Sequence, residues 1–176
     1  MKTTRLPLGG AHLVELEPVA DERGFFARTW CAEEFRTYGL NSNLAQCSIS
    51  FNKHRGTLRG LHYQAEPYAE AKLVRCTAGA VYDVILDLRP ASDTCHKWFA
   101  VELNATNRTM LYIPEGLAHG FQSLGDDTKV FYQISVNYHT ESARGVRWND
   151  PLSGIEWPVP DPTISQRDRS FLDHKL

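Results

Sequence analysis

From Leu44 onward apolar and polar side chains alternate with a period of two, and polar, glycine or proline breaks interrupt the alternation at short intervals. The pattern predicts strands over 44–52, 56–64, 71–77, 79–88, 97–103, 108–113, 119–123 and 128–138, with turn residues such as Pro67, Gly79, Pro90, Asn104 and Pro114-Glu115-Gly116 between them. Two shorter strands are expected earlier, at 12–16 and 25–30, on either side of the polar turn Asp21-Glu22-Arg23-Gly24. The helical period shows once in the first half, over 32–38, with glutamates at its start, Arg36 later and Gly39 where a helix C-terminus favours glycine. Many short strands with regular turns and helices confined to the ends specify an all-β jelly roll or sandwich.

Within 80–88, Tyr82, Val84, Leu86 and Leu88 share one face, while Asp83, Ile85 and Asp87 share the other. An acidic face on a strand is either wetted or part of a polar pocket; Asp87 suits an outer face and Asp83 suits either. Past Thr140 the alternation fades, but Trp148 and Trp157 among glycines and prolines indicate a packed extension over 140–176 rather than a linker. A short helix is expected after Ile164, with Ser165 as its N-cap.

A chain of 176 residues fits one domain, 1–176, and is long enough to bury a core. Nineteen Lys and Arg against 21 Asp and Glu leave a net charge of −2, so no whole-chain field calls for nucleic acid or an anionic membrane. Neither a signal-peptide core nor a membrane-length apolar run is present, and a cytoplasmic protein is expected. Cys31, Cys47, Cys76 and Cys95 lack C-x-x-C spacing and are read mostly as buried free thiols.

The chemistry centres on Arg59-Gly60-Leu61-His62-Tyr63-Gln64, where a fixed cation suited to phosphate stands near a side chain that titrates close to neutrality. Jelly rolls of this size often hold a metal, and the P-x-G-x-x-H half of such a motif occurs at Pro114–His119. The other half would require H-x-H and a glutamate but reads His62-Tyr63-Gln64, too few donors for the common divalent ions. No metal is expected. An interior furnished with His62, Lys72, His119 and Tyr132 can instead remove and return a proton beside a carbonyl. His62 would be the base, Lys72 the cation for the enolate oxygen, and Tyr132, on a face with Val130, Ile134 and Val136, the second proton carrier. Plainer readings stand beside these: Tyr132 as core, Lys72 reaching to an edge, His119 as a satisfied interior histidine.

Several ordered motifs together resemble the dTDP-4-dehydrorhamnose 3,5-epimerase family. They are Asp21-Glu22-Arg23-Gly24-x-Phe26, Gly56 to Gln64, Lys72-Leu73-Val74-Arg75, Tyr82-Asp83-Val84, Pro114-x-Gly116-x-Ala118-His119-Gly120-Phe121, Tyr132 with Tyr138, Trp148-Asn149-Asp150-Pro151 and Ser165-x-x-Asp168. The resemblance implies a cupin-type double-stranded β-helix that acts without metal or organic cofactor on a nucleotide-linked 4-keto-6-deoxyhexose. It also implies a homodimer whose N-terminal strands join the interface. His62 matches the family's base, Asp168 its dyad partner, Tyr132 the acid, and Lys72 the group that polarises the C4 ketone. Arg59 and His119 match substrate contacts, Arg59 towards the pyrophosphate; Tyr138 matches the aromatic on the base. Gln46 and Arg23 match further nucleotide contacts, Arg23 from the neighbouring subunit.

Two tensions accompany the resemblance. Arg59 and His62 have opposite strand parity, so both can face one site only across a bulge or irregular backbone at Gly60. Tyr132 and Tyr138, six residues apart on one strand, would lie roughly 20 Å apart and serve both ends of the ligand. The chain also departs from the family pattern, with Arg28 after Phe26 in place of a glutamate and Ser48 within Gln46-Cys47-Ser48 in place of an asparagine. These departures bear on the nucleotide base. Rival readings are an epimerase acting at C3 or C5 only, a sugar-nucleotide 3,4-ketoisomerase on the same barrel, and a sugar-binding cupin without catalysis.

Overall fold

In a computed structural model, which describes residues 1–173, strands β1 (Lys2–Arg5), β2 (His12–Glu15), β3 (Val19–Asp21) and β4 (Gly24–Phe26) precede helix α1 (Ala32–Thr37). The central run is β5 (Gln46–Asn52), β6 (Thr57–Gln64), β7 (Lys72–Ala78), β8 (Ala80–Asp87) and β9 (Trp98–Asn104). It continues as β10 (Met110–Ile113), β11 (Leu117–Ser123) and β12 (Thr128–Ile134), followed by β13 (Ala143–Gly145), β14 (Thr163–Ile164) and helix α2 (Gln166–Arg169). One six-stranded sheet runs β1-β2-β10-β7-β12-β5. The other runs β13-β6-β11-β8-β9, with β14 parallel against β6. This is the jelly roll that the alternation predicts.

Inward side chains of both sheets form the main core, among them Val74, Leu111, Ile113 and Val130 from the first and Val81, Ile85, Leu103 and Phe121 from the second. Each outer face then needs its own cover. On the first sheet Val14, Leu73, Met110 and Tyr112 lie beneath Phe35 and Leu40. The α1 turn that delivers Phe35 ends with Gly39 at φ 70°, where Gly39 N–H donates to Arg36 O at 3.0 Å and Leu40 N–H to Phe35 O at 2.9 Å. That closing pair satisfies carbonyls the helix would otherwise leave open and sets Leu40 against Phe35. On the second sheet Val84, Leu86 and Ala118 are covered by Val146, Ile155 and Trp157 of the C-terminal extension. The extension is therefore a wall of the fold.

Four expectations need correction. Strand 25–30 stops at Phe26, because among the described residues β4 pairs with β3 alone, and Trp30 turns into the α1 cluster instead. Strand 128–138 stops at Ile134. Beyond it, side chains replace the ladder: Gln46 Oε1 accepts from Tyr138 N–H at 3.1 Å and Gln64 Oε1 from His139 N–H at 2.6 Å. Asp87 is not wetted but fully buried, accepting from Arg89, Ser92 and Thr94. All four cysteines are free, yet only Cys76 is buried.

Candidate active site

The two sheets open into a cavity of about 400 Å³ lined by Gln46, Ser48, Arg59, His62, Lys72, His119, Tyr132, Tyr138 and Asp168, together with Glu70, Phe121, Ile134, Ser165 and Arg167. Gln46 and Ser48 arrive on β5, Lys72 on β7 and Tyr132 on β12, all from the first sheet; His62 on β6 and His119 on β11 come from the facing sheet. Parity along β5, β7 and β12 accounts for this. Ile134 stands opposite both Gln46 and Lys72, and Tyr132 opposite Ser48, so these inward side chains form adjacent rows.

Arg59 and His62 share the cavity because β6 is irregular. His119 pairs with His62 and Phe121 with Arg59, so three steps on β6 answer two on β11. The extra residue falls around Gly60, whose φ is 135°. A Cβ built on Gly60 would lie 2.5 Å from Gly120 Cα, so the strands approach closely only because neither carries a side chain there. Arg59 is then steadied by Asn52, whose Oδ1 accepts from its Nε at 2.8 Å.

His62 Nε2–H donates to Asp168 Oδ1 at 2.8 Å, leaving Nδ1 as the basic ring atom. The other Asp168 oxygen accepts from Gly60 N–H at 3.3 Å, and Asp168 is placed by Ser165, the predicted N-cap, whose Oγ accepts from Asp168 N–H at 3.1 Å. Burial by itself would raise the Asp168 carboxyl. The hydrogen bonds from His62, Gly60 and Ser165 outweigh it and hold the group below the usual carboxylate value. Phe171 closes over the His62 ring edge to face, with centroids 5.7 Å apart.

Tyr132 is partly buried, with its hydroxyl 3.5 Å from Ser50 Oγ and its ring edge-on to His119. Burial drives its phenol well above the ordinary tyrosine range, against the smaller opposing effect of Ser50, so the group is a neutral proton donor. His119 is the interior histidine with a partner: its Nε2 lies 2.9 and 3.1 Å from the two oxygens of the fully buried Asp83. Lys72 does not reach to an edge. Its ammonium is buried at the cavity wall, 2.7 Å from Glu70 Oε1.

Arg23, Phe26 and Arg28 do not line this cavity. Arg23 sits exposed at the β3–β4 turn against Asp21, Phe26 is 81% exposed, and Arg28 pairs with Glu34 Oε1 at 2.6 Å. Gln64 is structural, holding the backbone of Tyr68 and His139. Sequence reading passed over Glu70 and Arg167. The first was detectable, since it shares parity with Lys72 two residues on; Arg167 enters through the helical turn that carries Asp168, which strand parity does not address. Among the described residues no three His, Cys, Asp or Glu side chains gather as a metal-binding group.

The arrangement is competent to move a proton on and off a carbon within a pocket that offers cations to an anion. Its relatives are informative. The dTDP-4-dehydrorhamnose 3,5-epimerase of Shigella flexneri is 43% identical over 165 residues, 92% of this chain and 91% of that one. The Bacillus anthracis enzyme of that name, solved with TDP and PPi bound, superposes with a TM-score of 0.95 at 37% identity, covering 98% of this chain and 99% of that chain. A 3'-monoepimerase from Streptomyces bikiniensis, solved with dTDP-quinovose, gives a TM-score of 0.89 at 34% identity over 96% of this chain and 85% of that chain. The family model for dTDP-4-dehydrorhamnose 3,5-epimerase matches residues 5–175, and the chain belongs to that family.

Proposed function

We propose that this chain epimerises C3, C5 or both of a dTDP-linked 4-keto-6-deoxyhexose through an enolate, as a step in deoxysugar biosynthesis. The observation that carries the reading is the His62–Asp168 pair facing Tyr132 and Lys72 across one cavity. His62 Nδ1 takes the proton alpha to the C4 ketone, and Asp168 holds the resulting imidazolium. Charge moves onto the C4 oxygen, where the Lys72 ammonium meets it. Tyr132 delivers a proton from the facing sheet, which gives the opposite stereocentre. Arg59 and His119 bind substrate, Arg59 at the pyrophosphate, and Gln46, Ser48 and Tyr138 receive the nucleoside.

A homodimer fits the same reading. Beyond the α1 cover, the outer face of the first sheet bears Ile49, 63% exposed, and Phe51, 50% exposed. Phe131 lies between β5 and β7 there, with the Arg75 guanidinium 5.2 Å above its ring and Arg75 Nε buried without a hydrogen-bond partner among the described residues. An apolar patch of this kind marks a protein interface. The exposed β3–β4 hairpin would carry Arg23, Phe26 and the Arg28 segment to the neighbouring cavity. No described helix is long and apolar enough to cross a membrane, and four free thiols suit a cytoplasmic enzyme.

Incubating enzyme with product in deuterated water tests the function. Label is expected at C3, C5 or both, and its position gives the number of centres inverted. Absence of label at both overturns the reading.

A further inference from the structure

Glu70 and Lys72 stand two residues apart where β7 enters the cavity wall, and their charged ends meet at 2.7 Å with each side chain 9% exposed. The same ammonium donates to the His62 carbonyl at 3.4 Å. A lysine ammonium has three N–H donors on a flexible four-carbon stem. Two of the three are engaged here, by groups on β6 and just before β7, and the cavity is where the remaining one can find an acceptor.

We propose that Glu70 is a positioning residue for the reaction: its carboxylate fixes the Lys72 ammonium so that one N–H stays aimed at the substrate oxygen on which negative charge develops. This rests on the epimerase reading above. Without Glu70 the stem regains rotamers, and the ammonium must be recruited to the oxygen during each turnover. Misplacement of a charge-stabilising donor by about 1 Å is worth roughly a hundredfold in rate. The cost falls on the charged transition state rather than on the bound ketone, so kcat suffers more than KM.

The test compares Glu70→Ala and Glu70→Gln, each alone and combined with Lys72→Met, by the rate of deuterium incorporation. The glutamine oxygen still accepts from the ammonium; alanine offers nothing. Glu70→Ala is expected to lower kcat roughly tenfold or more with KM within about threefold, and Glu70→Gln to recover part of the loss. In the Lys72→Met background either Glu70 change should cost less than about twofold, because the group through which Glu70 acts is gone. A kcat for Glu70→Ala within about twofold of wild type overturns the proposal, as does an equal loss in both backgrounds. Should Glu70→Ala fail to fold, as its melting curve would reveal, Glu70→Gln in the two backgrounds decides by the same comparison. No exchange by the wild-type enzyme overturns the epimerase reading and this proposal with it, whereas exchange that is indifferent to Glu70 overturns this proposal alone.

Discussion

His62 and Tyr132 approach one cavity from opposite sheets, so removing either should leave a different remnant of the reaction. His62→Ala lacks the base and is expected to show no deuterium exchange at any centre. Tyr132→Phe keeps the base and the Lys72 cation, so His62 can still withdraw a proton and return a deuteron to the same face. Exchange without inversion is the expected signature, with inversion slowed on the order of 10²- to 10⁴-fold. Equal loss of exchange and inversion in Tyr132→Phe would remove it as the acid for the second face. Away from the site, Asp87 makes a titration prediction. Burial alone would raise its carboxyl, but hydrogen bonds from Arg89, Ser92 and Thr94 dominate and hold it far below the ordinary range. A depressed folded pKa means that this stabilisation is complete above the unfolded value, about 3.9, and is lost as pH falls below it. Asp87→Asn should therefore cost about 3 kcal/mol at pH 7 by stranding Arg89, with the gap to wild type narrowing below about pH 4. Urea unfolding at pH 7, 5 and 3 measures it, and a gap that does not change with pH would refute the assignment.

At the scale of elements the sharpest test is Gly60. Any side chain there meets Gly120 backbone and His119 O, at a φ that L residues rarely take. Gly60→Ala should destabilise the protein by about 3 kcal/mol or more and, in whatever folded fraction remains, part Arg59 from His62. Thermal melting and substrate affinity read these two effects. This irregularity was legible in the sequence because two residues with roles at one site had incompatible parity. The strands from β6 to β11 were legible for a related reason: each packs at least one face against a core, so alternation reports them to within a residue or two. Where neither face is buried the signal weakens. β1 is short and mostly exposed, and went unseen; β12 looked longer than it is because Val136 continues an alternation whose hydrogen bonds have passed to Gln46 and Gln64. The pairing of Asp168 with His62 spans 106 residues and no local pattern encodes it. It came from resemblance alone. Asp87 was misread since alternation names a face but not what lies beyond it, and the loop after β8 folds back to fill that space with donors.

For the whole molecule the open question is what the β3–β4 hairpin is for. Val19 at 75% and Phe26 at 81% exposure are covered by nothing among the described residues, and Arg23 stands exposed at the hairpin turn. If a second copy docks on the Ile49, Phe51 and Phe131 face, each cavity is completed by its partner's Arg23. A guanidinium on a phosphate contributes about 1.5–3 kcal/mol, so Arg23→Ala should raise KM by roughly one to two orders of magnitude in the homodimer. The symmetry of the pair then permits a decisive mixture. Arg23→Ala and His62→Ala protomers are each impaired alone, but in a mixed dimer one cavity draws His62 from the first protomer and Arg23 from the second and is wild type throughout; the other has neither. Random reassortment makes half the dimers mixed, each with one intact cavity of two, so about a quarter of wild-type activity should return at substrate concentrations too low for the Arg23→Ala homodimer. If Arg23 instead served its own chain's cavity, every mixed dimer would pair one cavity lacking Arg23 with one lacking His62, and mixing would return nothing. The amount recovered therefore distinguishes a hairpin that serves its own chain from one that serves its neighbour.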